Sequence, residues 1–66
     1  MPLSGRKLKK LALQAGWVED HVTGSHHIMK REGFQAVSIP IHGNKDLPKG
    51  LERSLKKQLG IDWEGV

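Results

Sequence analysis

Trp17-Val18-Glu19-Asp20-His21-Val22-Thr23-Gly24-Ser25-His26-His27-Ile28-Met29-Lys30-Arg31 is the stretch that decides the fold. In its first six residues Val18, Asp20 and Val22 alternate with Trp17, Glu19 and His21, a period of two that predicts a short strand over 17–22. Thr23-Gly24-Ser25 carries turn chemistry, with Gly24 free to adopt positive φ. His26 to Arg31 follows as a second strand, paired antiparallel to the first across so short a turn. Glu32-Gly33 turns the chain again into a third strand at Phe34 to Ile39. Pro40, with no N–H for a ladder, ends that strand or sits on its edge.

Outward from this meander the period changes to that of a helix on both sides. Upstream, Ser4 is an N-cap, and Leu8, Leu11, Ala12 and Ala15 follow at i, i+3, i+4 and i+7, with Gly16 placed to end the helix. Downstream, His42-Gly43-Asn44-Lys45 reads as a loop. Asp46 or Leu47 then caps a second helix with Pro48 in its first turn, where a missing N–H costs nothing. Leu51, Leu55 and Leu59, extended by Leu47, form its apolar stripe, and Gly60 ends it. Lys49, Arg53, Lys56 and Lys57 fall together on the far side. The expected architecture is α+β, in the order α-β-β-β-α, with a three-stranded antiparallel sheet and both helices on one face. The other face of the sheet is left to water, a substrate or a partner. A single domain spans residues 1–66, with its core at about 4–61 and a short tail at 62–66.

With 66 residues and no cysteine, the chain has neither a disulfide framework nor a thiolate metal site to staple a small core. No apolar run approaches the roughly 20 residues of a membrane span, and the N-terminus lacks the apolar core of a signal peptide. The expectation is a soluble, cytoplasmic chain. Eleven Lys and Arg against seven Asp and Glu leave a net charge of +4. The positive charge is clustered. Arg6, Lys7, Lys9 and Lys10 occur with no acid in residues 1–16, and Lys45, Lys49, Arg53, Lys56 and Lys57 face only Asp46 and Glu52 in residues 45–57. Such clustering fits a polyanion, either nucleic acid or an acidic protein surface, as well as it fits a solvated helix face.

Histidine is the side chain that exchanges protons near neutral pH, and Gly24-Ser25-His26-His27 places two of them directly after a turn. Beside lysines and arginines that can hold phosphate, such a group suggests phosphodiester chemistry, while a histidine that starts a strand reads equally well as a polar surface residue. His27 points to the opposite face and reads as a packed or rim residue. The pair makes a poor metal site, since His42 is the one other candidate ligand, and no metal or small-molecule cofactor is expected. Ser25 shapes the turn or donates to phosphate, and His42 lies in a loop that can approach the sheet end. Lys45 and Lys49 flank the start of the second helix, where N–H groups favour an anion. Arg53, Lys56 and Lys57 continue that track, with affinity that falls with salt. One phenylalanine, two tryptophans and no tyrosine are too few for a base-stacking platform. Trp17 is expected in the core.

At this point the sequence resembles the HicA toxins, also called YcfA-like proteins, of bacterial toxin–antitoxin pairs. The likeness rests on Ala15-Gly16-Trp17, Gly24-Ser25-His26-His27, Val37-Ser38-Ile39-Pro40-Ile41-His42, Gly43-Asn44-Lys45-Asp46-Leu47-Pro48-Lys49-Gly50 and Leu59-Gly60-Ile61, in order over residues 4–61. The resemblance implies a double-stranded-RNA-binding-like fold and a metal-independent endoribonuclease that cleaves mRNA and arrests growth. It implies a HicB-type antitoxin as partner, and it places the essential histidine, directly after Gly-Ser, at His26. RNA carries its own nucleophile, the 2′-OH, so on this resemblance His26 would be a general base on the 2′-OH or a general acid on the 5′-oxygen, with lysine or arginine stabilising the charge that develops on phosphate. Two rivals stay open from the residues alone. One is a non-catalytic RNA-binding module in which His26 only contacts the backbone. The other is a structural partner whose basic faces bind protein.

Overall fold

Ser4 takes an extended backbone and its hydroxyl accepts from the Lys7 amide at 3.2 Å, which caps helix α1, Gly5–Gln14. The structure, a computed structural model, describes residues 3–61. The tail expected at 62–66 lies outside the described residues. After α1 come strands β1 (Val18–Thr23), β2 (His26–Lys30) and β3 (Val37–Pro40), then helix α2 (Lys49–Leu59). The sheet is antiparallel with β2 in the centre, which is the α-β-β-β-α order expected. Leu8 and Ala12 of α1 and Leu55 and Leu59 of α2 pack with Met29, Val37 and Ile39 in one core. Both helices therefore cover the same sheet face. Each large apolar side chain buried there contributes about 1.5–3 kcal/mol.

Several boundaries differ from the sequence expectation, each for a visible reason. Trp17 precedes β1 instead of opening it. Its ring is buried in the core and its Nε1–H donates to the Leu59 carbonyl at 3.0 Å, tying the ends of α1 and α2 together. The third strand begins at Val37, not Phe34, because the Phe34 amide closes a turn onto the Arg31 carbonyl at 3.0 Å. The Phe34 ring then tilts against Trp17, centroids 5.3 Å apart, under the Arg31 guanidinium. Pro40 is the last residue of β3 on an outer strand, paired with His26.

At α2 the cap is Pro48, extended at φ −57° and ψ 144°, in place of Asp46 or Leu47. Asp46 instead forms a single antiparallel bridge with Ser4, and the Leu47 amide donates to the Leu3 carbonyl at 2.7 Å. Leu47 thereby fills the core ahead of the helix. Leu51, expected in the buried stripe, stays 38% exposed. The Glu52 carboxylate accepts from the Leu3 amide at 2.8 Å. These bonds gather both helix starts at the end of the sheet where β3 finishes, and both helix ends lie with Trp17 at the other.

Candidate active site on the open sheet face

The geometry begins with a two-residue turn. Thr23 pairs with His26, and Gly24 between them has φ 59°, the conformation that a type II′ hairpin requires at its first central position. The Ile41 amide donates to the Ser25 carbonyl at 2.8 Å, which fixes the turn against the segment leaving β3. His26 therefore starts β2 at a braced corner. Met29 on β2 is buried under the helices, so alternation puts His26, Ile28 and Lys30 on the other face. No helix among the described residues covers that face.

His26 is exposed, and its Nδ1 lies 3.2 Å from the Ser38 hydroxyl of β3. With Nδ1 engaged by Ser38, Nε2 is the nitrogen left for a substrate. His27 faces the helix layer, as its place in the strand predicts. Its Nδ1 lies 2.5 Å from Glu19 Oε1, and the same oxygen accepts from Lys9 Nζ of α1 at 2.9 Å. Hydrogen bonds from His27 and then from Lys9 hold the Glu19 carboxyl below its ordinary value. On the open face, Asp20 Oδ2 lies 2.7 Å from His21 Nδ1 and 3.4 Å from Lys30 Nζ. Asp20 is likewise held below the usual carboxylate value, chiefly by the His21 hydrogen bond and further by Lys30.

The other candidates divide into two groups. Gly24, Ser25, His26 and His42 gather at the corner where the turn meets the chain leaving β3. Beside them a groove of about 340 Å³ is lined by Pro40, His42, Lys45, Asp46, Leu47, Pro48 and the exposed Leu51. Lys49 opens α2 at its edge, and Arg53 is exposed one turn further on. Lys56 differs from these. Its side chain is only 17% exposed and its Nζ stands 4.0 Å from Glu52, nearer the Trp17 end of the molecule. Among the described residues no three His, Asp or Glu side chains cluster as metal ligands, and no helix is long and apolar enough to cross a membrane.

Two features escaped the sequence reading. Ser38 was legible in principle, because a polar residue between Val37 and Ile39 must face away from the core. The Asp20–His21 pair was not, because it depends on a register shift between Glu19 and His21 that no glycine announces.

Against this geometry stand the comparisons with known proteins. The family described as the HicA toxin of bacterial toxin–antitoxin matches residues 5–61. A solved chain from a toxin–antitoxin complex of Streptococcus pneumoniae is similar at 30% identity and a TM-score of 0.75, over 89% of this chain and 98% of that one. No curated protein matches.

Proposed function

Since the chain belongs to the HicA toxin family, we propose that it is an endoribonuclease that cleaves mRNA, with His26 moving the proton, and that a HicB-type antitoxin restrains it. The observation that carries this reading is the placement of His26: exposed, on an uncovered sheet face, with Nδ1 engaged by Ser38. A ring anchored through one nitrogen presents the other in a fixed direction, which general acid–base catalysis requires. The 2′-OH attacks the adjacent phosphorus, the P–O5′ bond breaks, and the products are a 2′,3′-cyclic phosphate and a 5′-hydroxyl.

The basic residues hold the backbone. Lys45 and Lys49 flank the start of α2, and Arg53 extends the same exposed side. Contacts of this kind give affinity without base specificity. Gly24 and Ser25 shape the corner, and His42 and the groove beside it lie within reach of RNA crossing from the sheet to α2. Lys56, engaged with Glu52, contributes at the far end of the track. The similar S. pneumoniae chain comes from a toxin–antitoxin complex, and the net charge of +4 favours a partner with an acidic docking surface. Such a partner silences the enzyme by covering His26 on the open face or by occluding the RNA track along α2.

The test is induction of the chain without any antitoxin, beside His26→Ala. Growth arrest with degraded mRNA in the wild type alone is expected. Equal growth and intact RNA with both folded proteins would remove the nuclease reading. RNA retention without cleavage would leave a binding module.

A further inference from the structure

β1 turns a second histidine onto the face that carries His26. Glu19 pairs with Met29 and His21 with Ile28, so two steps along β1 match one along β2, and Asp20 is the extra residue. Glu19 faces α1, where it meets Lys9. In an unbroken strand His21 would face α1 too, since residues two apart share a face. The bulge reverses this and sets His21 opposite Ile28 on the open face. Bulges re-aim side chains in this way and recur beside active sites. His26 lies two positions before Ile28, so it is the diagonal neighbour of His21, about 7–8 Å away backbone to backbone.

Each ring is anchored through the same nitrogen. His21 Nδ1 lies 2.7 Å from Asp20 Oδ2, and His26 Nδ1 lies 3.2 Å from Ser38 Oγ. Each has Nε2 left over, and the His21 side chain is 55% exposed.

We propose that His21, oriented by Asp20, is the second acid–base group of the site, paired with His26 across one phosphodiester. This rests on the nuclease reading above. Cleavage needs two proton movements, one at each side of the phosphorus. His26 Nε2 takes the 2′-OH proton as the 2′-oxygen bonds to phosphorus. His21 gives its Nε2 proton to the 5′-oxygen as the P–O5′ bond breaks. His26 ends protonated and His21 neutral, and exchange with water resets both.

The anchors point to one division of roles. An ionised carboxylate only accepts hydrogen bonds, so Asp20 holds a proton on His21 Nδ1 and sets a negative charge beside the ring that has to carry the donated proton. The Ser38 hydroxyl donates or accepts equally well, so His26 can start with a free lone pair on Nε2. The charged groups near His21 are Asp20 on its own strand and Lys30 of β2, which reaches Asp20. β3 carries none. His26 faces Ser38 of β3 and pairs with Thr23 of β1.

The test uses the purified chain and two RNA oligonucleotides that differ in one atom, oxygen or sulfur, at the 5′ position of a linkage that the wild type cleaves. Sulfur departs without a proton. His21→Gln is expected to slow the oxygen substrate by at least about 100-fold and to lose the alkaline limb of the pH–rate profile. It should cleave the sulfur substrate within a few-fold of wild type, which also reports a folded protein. His26→Ala should fail on both substrates. His21→Gln acting at the wild-type rate on the oxygen substrate overturns the histidine pair and leaves the nuclease intact. So does His21→Gln slowed equally on both substrates. A wild type that cleaves no RNA sinks the nuclease reading and the pair with it.

Discussion

Gly5→Ala and Gly50→Ala are the same substitution in the first turns of the two helices, and they should change stability in opposite directions. A methyl group at Gly5 would stand well inside 3.0 Å of the Pro40 carbonyl oxygen, and 3.1 Å from Ile41 Cγ1 and the Pro40 carbonyl carbon. The obstacle is backbone, which cannot swing aside as a side chain can. Overpacking of this kind costs about 1–3 kcal/mol. The alanine preference of a helix returns at most about 1 kcal/mol. The net loss is up to about 3 kcal/mol, which for a domain of this size lowers Tm by up to roughly 24 °C. At Gly50 a methyl group meets nothing within 4 Å, so only the helix preference acts, and Tm should rise by up to about 8 °C. Thermal melts followed by circular dichroism at 222 nm decide it. Gly5→Ala melting at or above the wild type would refute the argument that α1 rests directly on the end of β3. Because Pro40 pairs with His26, a displaced α1 should also reduce RNA cleavage, whereas Gly50→Ala should leave it alone.

The Glu19 carboxyl is held below its ordinary value of 4.5, first by His27 and then by Lys9. A lowered carboxyl stabilises the fold above its unfolded value and loses that contribution as pH falls through the folded one. Tm should therefore drop below about pH 4.5, and Glu19→Gln should drop less steeply; identical slopes from pH 6 to 3 would count against the link between α1, β1 and β2. Replacing Lys45 and Lys49 together with glutamine should weaken RNA binding and make log K against log salt shallower, by about 0.7 for each single-strand phosphate that the two lysines neutralise. An unchanged slope in filter binding would move the backbone track away from the start of α2.

Legibility followed the range of the interaction that fixes each feature. The apolar stripe of α1, the Gly24 turn and the alternation of β2 are local, and each stands where its period places it. Trp17 lies in the core as its place between helix and strand suggests, but it does not open the strand, and its bond to Leu59, far along the chain, leaves no local trace. Leu51 fits a helical stripe but is displaced because Leu47, outside the helix, fills the core first. Within the candidate site, the side on which His26 and His27 fall follows from period two alone. The face of His21 does not, because one inserted residue changes the parity of everything after it, and only the partner strand reveals the count.

A small sheet with two outer strands invites another chain to extend it. β3 offers just four residues, and its last, Pro40, has no N–H to give to an incoming ladder. β1 is longer, at six residues, but the extra residue at Asp20 breaks the even spacing of its outward donors and acceptors, and its strands twist more sharply there. Both rims are thus poor templates for strand addition. Self-assembly edge to edge is discouraged without help from any chaperoning partner, and a protein that binds this domain must engage its faces or its loops.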